Sequence, residues 1–600
     1  MRNELDYEMP WRPNYEAMII GVWLALIPVC ALINHYAELP QRLTAWFAIL
    51  AAFKIVIWSP GAFRVWRRKS HLRGLPAIIL RSADVARRCQ KHLTSIWLGS
   101  GFDWQQRHAQ LSHEILKRDL GPLTLNTNGS SGAEWIHGLE PREKPIQFPI
   151  EHIAGHTLIV GTTGSGKTRT FDLLITQAVF RGEAVIIIDP KGDKDLCEAA
   201  RRACDIAGCS ERFMFFHPAL PEESFRINPL LNFTRPSELA SRIAQLIPSE
   251  SGADPFKAFG QKSLDNIIQG LLTIDRRPSL MSLRRYLEGG PSKLVARSLE
   301  HHFEKSYGKS WSNKLPKQRG QGADGHSTHL VRFYREIVEA EHPNPDLEGL
   351  ISMFEHDRTH FGKMVASLLP IMNMLTSGTL GGLLSPNDSD SDDLRPITNS
   401  ASLIADKRVT YIGLDSLSDG MVGSAIGSIL LADLSSVAGK RYNFGRANHP
   451  VNIFVDEAAE VINDPCIQLL NKGRGALMRL HIATQTFADF VARTGSEAKA
   501  RQILANVNNL IALRVLDSET QKYITDNLPL TRLRYIMRTQ GVSTHSDNPA
   551  MYSGNLGERL MEEEGELFPP QLLGMLPNLH YIAKLSGGRI VKGRVPLLTP

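Results

Sequence analysis

Six hundred residues, 42% of them hydrophobic and 22% charged, exclude wholesale disorder and exceed what one compact core holds, so several domains are expected. A net charge of +6 is too modest to name a partner. The cysteines (Cys30, Cys89, Cys197, Cys204, Cys209, Cys466) are scattered without a CxxC pair and read as thiols of a reducing compartment, and adjacent His301 and His302 suit no metal cage.

Two apolar stretches, 17–33 and 44–58, open the chain. Each is at the short end for a bilayer helix, with Trp11, Tyr15, Tyr36, Trp58 and Trp66 at interface levels. Lys54 lies near the end of the second stretch, where its stem can snorkel to the headgroups. A signal peptide fits poorly, because Glu4, Asp6 and Glu8 precede the first stretch and a second follows. A soluble helical hairpin stays open as the other reading. Arg64, Arg67, Arg68, Lys69 and Arg73 follow the pair, against only Arg42 and Glu38 between them, so the positive-inside rule puts both chain ends in the cytoplasm.

Residues 61–150 read as a membrane-proximal connecting region, with a Gly/Ser stretch at Asn128-Gly129-Ser130-Ser131-Gly132. After the apolar run Leu158-Ile159-Val160 comes Gly161-Thr162-Thr163-Gly164-Ser165-Gly166-Lys167-Thr168, then a helix-like segment. Strand, glycine-rich loop and helix in that order make a phosphate-binding loop, the alternative being an ordinary glycine turn. Backbone N–H groups and the helix N-terminus would cradle phosphates, Lys167 would reach the β- and γ-phosphates, and Thr168 would join the Mg²⁺ shell. ATP and Mg²⁺ are the expected ligands. The run 184–189, ending in Asp189, reads as a parallel strand buried on both faces.

From 235 to 400 the spacing turns helical and predicts an inserted all-α domain, left through the acidic loop Pro386-Asn387-Asp388-Ser389-Asp390-Ser391-Asp392-Asp393. Strand-like runs return at 409–414, 451–455, 480–483 and 510–515, and 579–585 with 589–596 reads as a hairpin around Ser586-Gly587-Gly588. The expected fold is α/β: a nucleotide-binding core in two parts, 151–234 and 401–600, interrupted by 235–400 and anchored by a transmembrane hairpin over 1–60.

Ile453-Phe454-Val455-Asp456-Glu457 supplies the second half of a site. Asp456, at the C-terminal edge of a strand, would hold Mg²⁺, and Glu457 would orient and deprotonate an attacking water. The alternative is a helix N-cap pair. Gln485, after another strand, is either a γ-phosphate contact or a turn residue. Arg474, between Gly473 and Gly475, is either a solvated surface arginine or an arginine finger for a neighbouring subunit.

In this order the residues resemble the TraD/TraG-type coupling proteins of conjugation, and within them most the TraD of integrative conjugative elements. The resemblance spans essentially the whole chain. It rests on the two apolar segments, Leu98-Gly99-Ser100-Gly101-Phe102-Asp103-Trp104, Ile136-His137-Gly138, Gly155-His156-Thr157-Leu158 and Lys167-Thr168-Arg169. It continues through Asp189-Pro190-Lys191-Gly192-Asp193, Asn228-Pro229-Leu230, Leu375-Thr376-Ser377-Gly378, Asp456-Glu457, Ala483-Thr484-Gln485 and Gly588-Arg589-Ile590-Val591-Lys592-Gly593-Arg594.

The resemblance implies a RecA-like, homohexameric, DNA-dependent ATPase of the bacterial inner membrane. It would deliver a relaxase–DNA complex to a type IV secretion channel. Lys167, Thr168, Asp456, Glu457, Arg474 and Gln485 match the family's nucleotide-site positions. Partners implied are DNA, bound without sequence preference, relaxosome proteins, channel components and the membrane. No long acidic tail of the kind some relatives use is expected after the final strand pair. A chromosome-segregation DNA translocase and a membrane receptor for protein cargo are the alternative readings.

Overall fold

The computed structural model describes residues 13–36, 41–117, 132–140, 142–247, 254–315, 324–387, 392–445, 448–545 and 548–599. Trp11, the acids of the leader, Glu38, Asn128–Ser131 and Asp388–Ser391 lie outside them.

The two apolar stretches form helices Tyr15–Tyr36 and Gln41–Leu72, packed as a hairpin. Its open end closes where the Asn14 side-chain amide donates to the Ala62 carbonyl at 3.0 Å. The outward side chains are apolar: Val22 is 61% exposed, Trp46 70% and Val56 68%. A face of that kind calls for an apolar surrounding. The second helix does not stop at Trp58 but continues through the basic stretch to Leu72. A third helix, Gly420–Asn443, is also long and apolar enough to span, yet 72% of its apolar window is buried inside the core.

An eleven-stranded sheet carries the core. From one edge its strands are Lys144–Pro149, Ser95–Asp103, Arg589–Arg594, His580–Leu585, Asn509–Ala512, Thr157–Val160, Met478–Thr484, Val451–Val455, Ala184–Asp189, Val409–Gly413 and Phe213–Phe216. The run from Asn509–Ala512 to Phe213–Phe216 is parallel; the four strands on the other side are antiparallel. Central strands such as Ala184–Asp189 are buried at every position, as a parallel sheet covered on both faces demands. This is the α/β architecture expected from the sequence, a largely parallel sheet with helices around it.

The stretch read as a mere connection does more than connect. Ser95–Asp103 and Lys144–Pro149 are strands of the main sheet. Between them, the short helix Trp135–Gly138 packs on the end of the second N-terminal helix. Gly138 lies so close to the His71 carbonyl that no Cβ fits there.

The inserted helices leave and rejoin the core at one neck, where Arg226–Ile227 pairs in parallel with Ile397–Thr398. The helix Pro236–Ala244 is tied to the core helix Gly420–Asn443 by a buried ion pair, Arg242 to Asp433 at 2.9 Å. Arg242 also donates to the carbonyls of Pro229 and Asn232.

One large feature had no counterpart in the sequence reading. Leu530–His545 and Asn548–Glu566 form a two-stranded antiparallel ribbon outside the main sheet. Near its root the Gln110 amide both donates to the Arg534 carbonyl and accepts from the Arg534 N–H, each at 2.7 Å. The glutamine thereby occupies part of an otherwise open strand edge.

Candidate nucleotide site

The fully buried strand Thr157–Val160 ends in a loop whose Gly164 and Gly166 have φ of +75° and +116°. Glycine supplies that backbone without the Cβ penalty. The helix Lys167–Phe180 follows at once, so its free N–H groups face the loop. Lys167 is 7% exposed; its ammonium donates to the Gly161 carbonyl at 2.9 Å and lies 3.5 Å from Glu457 Oε1.

Glu457 arrives from two strands away. Val451–Val455 is separated from the loop's strand by Met478–Thr484, and all three end on the same edge. The Asp456 N–H donates to the Ile188 carbonyl at 3.0 Å, and its Oδ1 accepts from the Glu457 N–H at 3.0 Å. Glu457 has φ +37°, a left-handed backbone in a residue with a Cβ. Such strain is tolerated where the surroundings over-determine the conformation. Gln485 completes the group: its amide donates to Glu457 Oε1 at 3.0 Å and accepts from the Thr163 hydroxyl at 3.4 Å.

These side chains line a cleft of 920 Å³, with Thr168, Arg169, Lys191, Asp193 and Asp195 along it. Arg169 and Asp195 are paired across it at 2.7 Å. Burial pushes Asp456 up to about 7, with the charges of Asp189 and Glu457 adding to it. A carboxylate crowded by two further acids, with the Thr168 hydroxyl in the same cleft, suits a hard divalent cation. Asp456 and Thr168 would hold Mg²⁺, which would supply charge neutralisation at bound phosphate.

Arg474 is not in this cleft. It sits exposed on the short turn Gly473–Ala476, which precedes Met478–Thr484 and so lies at the opposite edge of the sheet. Seven strand residues put it roughly 20 Å from the phosphate loop of its own chain. His156, at the start of the loop's strand, feels its charge: burial drives that imidazole down to about 4, and Arg474 adds to the shift.

Two residues of the site were given no site role from the sequence. Asp189 ends the neighbouring strand and accepts from the N–H groups of Lys191, Gly192 and Asp193 and from the Tyr411 hydroxyl at 2.7 Å. Its signal was present, since the run Val185–Asp189 has the same apolar-strand-then-acid pattern as Ile453–Asp456. Leu579 carried no signal. Its N–H donates to the Ser165 carbonyl at 2.9 Å, and a Cβ on Gly166 would meet its Cδ2 at 2.9 Å. The C-terminal strand pair is thus braced directly on the phosphate loop.

Chemically, the arrangement offers a cradle for phosphate, a buried ammonium beside it and a carboxylate held within reach of both.

Two family models match the chain. One, described as the Type IV secretion-system coupling protein DNA-binding domain, covers residues 144–304; the other, the TraM recognition site of TraD and TraG, covers residues 450–577. The Type 4 coupling protein DotL of Legionella pneumophila subsp. pneumophila is 26% identical over 206 residues, 33% of this chain and 25% of DotL. The chain thus spans about a quarter of the length of that relative. Among solved structures, the bacterial conjugative coupling protein TrwBΔN70 in complex with sulphate aligns at 13% identity and TM-score 0.48, covering 87% of this chain and 94% of that one. The plasmid coupling protein TrwB with the ATP analogue ADPNP aligns at 15% identity and TM-score 0.47, covering 75% and 87%. The resemblance to coupling proteins read from the sequence is borne out by both domain matches.

Proposed function

We propose that this chain, which resembles type IV coupling proteins in both parts of its nucleotide-binding core, is a membrane-anchored ATP hydrolase that delivers DNA to a type IV secretion channel. One observation carries the reading: Lys167 of the phosphate loop and Glu457 of a distant strand are 3.5 Å apart. A protein that only held ATP would need the cradle but not the carboxylate. Glu457, oriented by Gln485, would position and deprotonate the attacking water. Asp456 and Thr168 would bind the magnesium, and Lys167 would neutralise charge on the terminal phosphates.

The finer parts rest on the family. Arg474, exposed at the far edge of the sheet, would serve the nucleotide of a neighbouring copy in a homohexamer. The helical hairpin would cross the bacterial inner membrane twice with both ends cytoplasmic, and the relaxase–DNA complex would be the cargo. The core would divide as 151–234 and 401–600 around an all-α unit of 235–400. Contact with DNA would run through phosphate, without base readout, and weaken steeply with salt.

The test pairs biochemistry with transfer. Full-length protein in detergent should hydrolyse ATP faster with DNA added. Lys167→Ala and Glu457→Gln should each lower that rate by at least about a hundredfold, the scale of losing a principal transition-state contact. A deletion strain complemented with either variant should fail to transfer DNA while dividing normally. Unchanged hydrolysis in both variants would favour a cargo receptor; a division defect would favour a chromosome translocase.

A further inference from the structure

We infer that Cys204 and Cys209 form a reversible thiol–disulfide site that a hydroperoxide closes. Their isolation in sequence argued for incidental thiols, but the backbone brings them together. The helix Lys194–Ile206 ends two residues after Cys204, Ala207 caps it, Gly208 has φ +67°, and Cys209 follows. The Cys209 N–H donates back to the Cys204 carbonyl at 3.0 Å, and the Gly208 N–H to the Asp205 carbonyl at 3.1 Å. That pair of reversed bonds is a Schellman ending, in which the side chains of those two outer positions meet. Usually the pair is apolar; here both members are thiols.

Their surroundings assign the order of reaction. Cys204 is fully buried, while Cys209 is half-buried. The Arg212 guanidinium donates to the Cys209 sulfur at 3.8 Å. It is itself fixed by the carbonyls of Glu183 at 2.6 Å and Lys407 at 2.8 Å. Cys209 is thus the sulfur of the two that a hydroperoxide reaches from solvent. Cys204, shut away from solvent with its thiol pushed up to about 12 by burial and next by the neighbouring Cys209, is met only by the Cys209 sulfur.

The chemistry balances in two steps. The Cys209 thiolate attacks a peroxide oxygen; an S–O bond forms, the O–O bond breaks, and the departing oxygen leaves as water or an alcohol after protonation. Cys204 sulfur then attacks the sulfenic sulfur; the S–S bond forms, and the hydroxyl leaves with the thiol proton as water. Two electrons pass from the thiol pair to the peroxide, and a dithiol reverses the change. The crosslink would pin the far end of a helix whose first turn, at Asp193 and Asp195, lines the nucleotide cleft.

Trypsin makes the test direct, because Ala203–Arg212 is one tryptic peptide holding both cysteines. Full-length protein is exposed to hydrogen peroxide, alkylated with iodoacetamide and digested without reductant. The expected peptide is lighter than the dithiol form by two hydrogens, takes no alkyl group, and takes two after dithiothreitol. Cys209→Ser should never yield it, and Cys197→Ser should yield it normally. A wild-type peptide that still takes two alkyl groups, or one carrying sulfinylated Cys209 beside an alkylated Cys204, would overturn the inference. Both readouts use the unmodified protein, so a variant that misfolds leaves the test standing.

Discussion

Glu457 shows how much of the site depends on single side chains placed by others. Its backbone is left-handed, its carboxylate lies beside Lys167, and its Oε1 accepts from Gln485. Gln485 touches both Glu457 and, through Thr163, the glycine loop, so it sets where the carboxylate points. A hydrogen bond to a charged group contributes about 1.5–3 kcal/mol. Gln485→Ala should therefore lower kcat for ATP by roughly 10–100-fold, at 1.4 kcal/mol per tenfold, with KM changed far less. Steady-state ATPase assays over a range of ATP read both; an unaltered kcat would remove Gln485 from the reaction. The phosphate loop was legible because its chemistry is contiguous, from Gly161 to Thr168. Gln485 was ambiguous because a lone polar residue after a strand becomes a site residue only by what faces it.

Among the elements, the buried pair Arg242–Asp433 fixes the insertion to the core. Asp433 is wholly buried, and desolvation raises its pKa despite the guanidinium beside it. Removing one partner of such a pair strands the other charge, at a cost of about 3–5 kcal/mol. Arg242→Met should lose stability on that scale in denaturant unfolding of the detergent-solubilised chain. A loss below about 1 kcal/mol would mean the neck, and not the ion pair, holds the insertion. Gly166→Ala tests a second junction. Its φ of +116° and the Leu579 side chain both oppose a Cβ, so nucleotide binding should weaken at least about tenfold. Adding Leu579→Ala should not restore binding, because the backbone strain remains; full rescue in a nucleotide titration would make crowding the sole cause. Element types in the parallel core were readable from continuous apolar runs. The ribbon 530–566 was not. Its apolar Leu530, Met537, Leu556 and Leu560 are exposed, so most of its apolar side chains do not mark a buried face.

For the whole molecule, buried neutral histidines couple folding to pH. Burial foremost drives His137 and His481 down to about 3, and His108 and His156 to about 4. All four lie outside the two N-terminal apolar helices. Since the folded-state values fall below the unfolded value of about 6.5, the unfolded chain takes up protons that the folded chain refuses. Their contribution is complete above pH 6.5 and is lost as pH falls from there toward 4 for His108 and His156 and toward 3 for His137 and His481. Thermal unfolding should shift to lower temperature between pH 7.5 and pH 5, and His481→Phe, which removes a buried imidazole stacked on Phe454 at 4.5 Å, should flatten that dependence. A melting temperature constant over that range would contradict the assignment. The chain by itself determined what is local and contiguous: the apolar hairpin, the glycine loop, the apolar strands ending in acids, and the helical character of 235–400. Only the tertiary structure decided that Glu457 reaches Lys167 from 290 positions away, that Arg474 sits at the opposite edge, that 95–103 and 144–149 complete the sheet, and that Leu579 braces the loop. Those facts follow from strand order, which is set by how all the buried faces pack together and leaves no mark in any one segment.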